Sequence, residues 1–149
     1  MHSRDRQSAA QLGMIADHLV RMHRRTDLPG GLSPARASAL FSLVEHGPMR
    51  LGELATLERL SQPATTQLVR AMEGDGLVTR QRDPADARAS LIAVTDAGRE
   101  LSLARLAARA STVAALIDTL DADDVAAIAG ALPALERLAT AADAVHPPR

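Results

Sequence analysis

The chain has 149 residues, a formal net charge of −1 and no cysteine. That length suits one domain, the missing thiols exclude disulfides, thiolate zinc sites and thiol redox switches, and the charge counts against a general polyanion binder, which is normally basic overall. Hydrophobic residues make up 46% of the chain but include one Phe and no Trp or Tyr, so Ala and Leu must build the core, by close helix–helix contact.

Residues 1–6 are polar and are expected to fray. From Gln7 to about Thr26, Leu12, Ile15, Ala16, Leu19, Val20 and His23 recur at helical spacing. No apolar core of a signal peptide is present there, and no run approaches the ~20 apolar residues of a membrane span; a cytoplasmic protein is expected. The segment from Asp27 to Gly31 breaks the helix, because Pro and paired Gly punctuate. Ser33-Pro34 reads as a cap followed by Pro in the first turn. It opens a helix to about Glu45, with Ala37, Leu40, Phe41 and Val44 inward; His46-Gly47-Pro48 ends it.

A short helix follows from Leu51 to about Glu58. Arg59-Leu60 is a tight link to Ser61, the cap of a helix from Gln62 to about Gly74. At ~100° per residue its buried stripe is predicted as Ala64, Leu68 and Met72. Asp75-Gly76 closes it, with Gly76 left-handed. Leu77 to Arg82 and Ala89 to Val94 read as strands, joined by a six-residue tip from Asp83 to Arg88. Thr95 caps a long helix to about Thr119. Asp121 caps another, from Ala122 to about Ala144, which Pro133 should kink. The last residues are expected to be disordered.

The order short helix, tight turn, capped helix, strand, charged tip, strand is that of a winged helix-turn-helix. The fold class expected is mainly α with a small β-hairpin wing, flanked by N- and C-terminal helices. The major groove of B-DNA accepts one α-helix, whose exposed side chains meet base edges. Gln62, Thr65, Thr66, Gln67 and Arg70 offer short-reach donors and acceptors: Gln suits adenine, Arg suits guanine, and Thr suits a thymine methyl or a phosphate. Ser61 and the helix N-terminus suit a phosphate. On the wing, Arg80, Arg82 and Arg88 suit a narrow minor groove, where negative potential concentrates. Asp86 could fork onto the Arg88 guanidinium and orient it. Plainer readings stand beside these: the polar stripe as a solvated face, and the arginines as protection of a sheet edge. Charge is also balanced here, with Arg50, Arg59, Arg70, Arg80, Arg82 and Arg88 against Glu53, Glu58, Glu73, Asp75, Asp83 and Asp86.

At these residues the sequence resembles the MarR family of bacterial transcriptional regulators, over nearly the whole chain. Gly76-Leu77-Val78, then the run from Asp83 to Leu91, then Val94 to Gly98 look like that family's wing and the start of its next helix. Asp86, Arg88, Thr95 and Gly98 fall on its motif positions, and Ser61 to Arg70 is similar to its recognition helix. The resemblance implies one domain over 1–149: a winged helix-turn-helix over 33–95, with dimerisation helices at 7–26 and 99–144. It implies a sequence-specific DNA-binding regulator, a repressor acting as a homodimer on a pseudo-palindromic double-stranded DNA operator. Many members are released by a small, often aromatic, anionic effector; the near absence of aromatics removes the usual stacking partners for one.

No catalytic constellation stands out, so no enzyme is expected, and no cofactor. A metal site is not expected either: His18 and His23 are five apart, off the i, i+4 spacing of two ligands on one helix face, and Asp17, Glu45 and His46 are related to them by residue type alone. The rival reading is a winged-helix module that binds proteins without DNA.

Overall fold

The structure, a computed structural model, describes residues 3–25 and 28–145, with side chains described at 6–22, 28–86 and 89–141. Helix α1 spans Ser3–Arg25, four residues longer at its start than expected. No Pro or Gly precedes Gly13 to break it. A 3-10 turn over Pro29–Gly31 leads to α2, Pro34–His46, capped by Ser33 Oγ, which accepts from Arg36 N at 3.4 Å. Its core face is Ala39, Leu40 and Leu43, whereas Phe41 is 46% exposed. The expected inward face was therefore rotated: α2 packs on the helix-turn-helix through one edge and on α5 through the other.

Strand β1, Met49–Arg50, was not foreseen; two residues carry no periodicity. Helices α3, Leu51–Leu57, and α4, Gln62–Gly74, follow, then strands β2, Val78–Asp83, and β3, Asp86–Val94. The sheet is antiparallel in the order β1-β3-β2, with Met49 opposite Ile92 and Val78 opposite Val94. The expected six-residue tip is instead a tight turn. Asp83 pairs with Asp86 across Pro84-Ala85, and Asp83 Oδ1 accepts from Ala85 N at 2.8 Å. An Asx-type hydrogen bond lets the chain reverse in fewer residues than the turn-forming composition suggested; the register shift beyond Arg82 takes up the rest.

Leu40, Leu43, Leu54, Val69, Met72 and Ile92 are all at most 1% exposed and join α2, α3, α4 and β3 in one core. Burying one side chain of this size contributes about 1.5–3 kcal/mol. The buried stripe of α4 is Thr65, Val69 and Met72, one step round from Ala64 and Leu68, which are half-buried.

Helix α5, Asp96–Ile117, is rooted in this core. Thr95 Oγ1 accepts from Gly98 N at 3.0 Å and donates to Gly76 O at 2.6 Å. Gly76 is left-handed, at φ +72°, as expected, and Leu77 N donates back to Met72 O at 2.9 Å. A Cβ on Gly98 would run into the Leu77 carbonyl oxygen and lie 2.9 Å from Val94 Cγ2. The end of α4, the root of the wing and the start of α5 therefore meet with no room for a methyl group.

Helix α6, Ala122–Val145, is capped by Asp121, whose Oδ1 accepts from Asp124 N at 2.8 Å, and runs on through Pro133. Every described α6 side chain but half-buried Val125 is exposed, and so is α1 from Arg6 to Arg21. Among the described residues no helix is long and apolar enough to cross a membrane, and no cluster of metal-ligating side chains occurs. The side chain of His23 and the residues after Val145 lie outside those described.

Candidate nucleic-acid interface

Helices α3 and α4 make the helix-turn-helix. Leu60 N donates to Ala55 O at 2.9 Å, and Arg59 takes a positive φ of 54°, so the link turns within three residues. Ser61 Oγ then accepts from Ala64 N at 3.4 Å. Its hydroxyl proton stays available to a phosphate, although Pro63, in the first turn of α4, has no N–H to add.

Along α4, Gln62, Gln67 and Arg70 are exposed and Thr66 is half-buried, its Oγ1 donating to Gln62 O at 2.8 Å. Thr65 is a correction. It is 0% exposed, with Oγ1 donating to Ser61 O at 3.0 Å. The methyl group packs inward and the hydroxyl is satisfied by the previous turn, so Thr65 supports the helix and has no surface to offer DNA.

On the wing, Arg80 and Arg82 are exposed. Arg80 Nε donates to Glu73 Oε1 at 3.1 Å, tying β2 to α4. The Asp86 carboxylate is exposed and stands 4.0 Å from Arg50 Nη2. The Arg88 side chain lies outside the described residues, and with it the expected Asp86–Arg88 pairing.

The evenly matched charges of this segment are unevenly placed. Glu58 accepts from Ser42 Oγ at 2.6 Å, Glu73 holds Arg80, Asp75 pairs with Arg36 of α2, and Asp83 takes Arg50. These acids bind partners within the module, while Arg70 and Arg82 stay exposed. Arg50 is the residue that sequence reasoning missed. Its Nε and Nη2 donate to Asp83 Oδ2 at 2.8 and 2.6 Å. The Ala85 N–H first, and the Arg50 guanidinium second, hold the Asp83 carboxyl below its ordinary range. No local signal links residues so far apart in the chain.

The MarR family profile matches residues 32–90. An uncharacterised HTH-type transcriptional regulator of Mycobacterium leprae is 31% identical over 119 residues, which cover 80% of this chain and 83% of the relative. The chain belongs to the MarR family. It is a DNA-binding transcriptional regulator, and the family works by binding rather than by catalysis. A MarR family protein from Bacillus stearothermophilus superposes with a TM-score of 0.77 at 26% identity, over 94% of this chain and 99% of that one. The fold is also that of a mutant MepR from S. aureus, solved bound to an oligodeoxyribonucleotide, with a TM-score of 0.67 at 17% identity over 87% of this chain and 96% of that one.

This MarR protein also has a cleft between α2 and α5, with Phe41 and Val44 on one wall and Arg105 and Arg109 on the other. Arg105 is 7% exposed and its Nη1 donates to Pro29 O at 2.7 Å. Burial lowers its pKa, and the Arg109 charge adds to that. Arg109 Nε is buried, with no hydrogen-bond partner among the described residues.

Proposed function

We propose that this MarR protein is a repressor that works as a homodimer on a pseudo-palindromic operator, in the cytoplasm. The observation that carries the dimer is the bareness of the terminal helices. Ile15 and Leu19 on α1, Leu116 on α5 and Leu132 and Leu138 on α6 are each about half exposed, in a chain whose winged module is well packed. A second copy laying its own terminal helices on these covers both sets, and an obligate interface of this kind buries more than ~2,000 Å². One single-domain organisation follows, with dimerisation helices at both ends of a reading module.

In this reading Gln62, Thr66, Gln67 and Arg70 meet base edges in the major groove, Ser61 holds a phosphate, and Arg80, Arg82 and Arg88 track the backbone or the adjacent minor groove. The oligodeoxyribonucleotide bound by the MepR mutant supports DNA as the partner, over a protein-binding winged module. Fluorescence anisotropy with the DNA upstream of the protein's own gene tests it, beside light scattering. Specific binding by a dimeric mass is expected. A monomer at micromolar concentration, or equal affinity for scrambled DNA, would reject the reading; a reporter whose expression falls when the regulator is lost would make it an activator.

The α2–α5 cleft favours one addition, release by a small anion. The sole aromatic of the chain, Phe41, lies there with two arginines, one carrying an unpartnered buried N–H. Benzoate is a suitable probe: it should weaken operator binding in wild type and not in Arg109→Met. Equal effects on both proteins would remove the cleft from the mechanism.

A further inference from the structure

The DNA contacts proposed above make no use of Arg50, yet its position is singular. It is the last residue of β1, pairs with Leu91 of β3, and caps α3, its backbone N donating to Glu53 Oε2 at 2.7 Å. Its side chain reaches the far end of β2. There both Nε and Nη2 converge on Asp83 Oδ2, and Asp83, only 7% exposed in its side chain, uses its other oxygen to close the wing turn. Beyond the two residues of β1 no third strand lies beside the hairpin among the described residues, and a two-stranded ribbon alone is marginal in water. Arg80–Glu73 ties the hairpin lower down, where Arg80 pairs with Ile92. The outer end, from Arg82 to the turn, is linked to the helix-turn-helix through Arg50.

We propose that Arg50 is a positioning residue. It fixes the angle of the wing against α4, so that the wing arginines and Arg70 reach one duplex together, while Arg50 itself bonds to Asp83 and not to DNA. The proposal rests on the DNA contacts given above. Without the clamp the hairpin samples other angles, and binding must first order it; ordering costs of this kind lower affinity without deleting a contact. The pair is open to water on the Arg50 side, 46% exposed, and covered on the Asp83 side, 7% exposed; its removal costs some stability, so binding is compared well below the melting temperature of each variant.

The test combines two single variants, their double and a rescue. Arg50→Met should weaken operator binding by about tenfold at a temperature where circular dichroism shows it fully folded. Asp83→Asn keeps an oxygen for the Ala85 N–H but loses the charge, and it should weaken binding similarly. The double variant should lose no more than either single, and Arg50→Lys should recover part of the loss. If Arg50 instead grips a phosphate, Asp83→Asn frees it and removes a negative charge near DNA, so binding tightens; that sign overturns the proposal. Amide hydrogen exchange over residues 83–90 reads the clamp in the free protein. Faster exchange there in Arg50→Met is expected, and unchanged exchange overturns the clamp whether or not the wild type binds its operator. Failure of wild type to bind, with the exchange result as expected, would overturn the DNA reading and leave the clamp standing.

Discussion

Arg70 and Gly98 show how differently single residues can matter. Arg70 is exposed near the middle of α4, on the side away from Val69 and Met72. If it reads a base, Arg70→Ala should cost about 1–3 kcal/mol on the best operator and less on scrambled DNA. Equal losses on the two, by anisotropy at one salt concentration, would make it a phosphate contact. Gly98 is buried at the start of α5, and Gly98→Ala drives a methyl group into the Leu77 carbonyl. A backbone atom cannot swing aside, so stability should fall by about 2 kcal/mol or more, at the upper end of overpacking costs. Urea melts that coincide with wild type would show the joint to be looser than its geometry. Residue roles were partly legible in the sequence. Ser61, Thr95 and Gly76 carry local signals, because caps and left-handed turns depend on chemistry within a few positions. Thr65 and Thr66 are adjacent and chemically identical, and only the packing of α4 against α2 and α3 decides that the first is buried.

Among the elements, the ends of α4 were legible to the residue, whereas the wing was legible in its two strands and not in its turn. Helix α4 is bracketed by a cap, a Pro and a Gly, each acting locally. The wing depends on Arg50 and Asp83, which meet only after the sheet has formed, and on β1, too short to have a pattern. The clamp carries a pH signature. Because the folded Asp83 carboxyl titrates below its ordinary value, its contribution is complete above the unfolded carboxylate's pKa of ~3.9. It is lost as pH falls through the lower, folded value. The stability gap between wild type and Asp83→Asn should therefore be constant from neutral pH to about 5 and close in stronger acid. Urea melts across that range check it, and a gap indifferent to pH would mean that the charge of Asp83 contributes nothing.

For the whole molecule, the terminal helices were legible as apolar, periodic and too extensive for one chain to cover; which of their side chains stand bare needed the structure. In the proposed homodimer two copies would bring two sets of Arg70, Arg82 and Arg88, with Arg80 shared with Glu73. Six to ten neutralised phosphates correspond to a log–log salt slope of about −5 to −9. A slope near zero, from binding measured over a tenfold range of salt, would remove DNA as the partner. The tight seam at Gly76, Leu77 and Gly98 has a further bearing on the operator. Recognition helix, wing root and α5 are packed there without slack, so in the proposed homodimer each subunit would act as one stiff caliper arm. One added base pair between half-sites turns the second about 35° around the duplex and shifts it ~3.4 Å along it. A caliper stiff in both arms cannot follow that twist, so operators with an altered spacer should be bound through one half-site, and DNA of a single half-site should compete with them on equal terms.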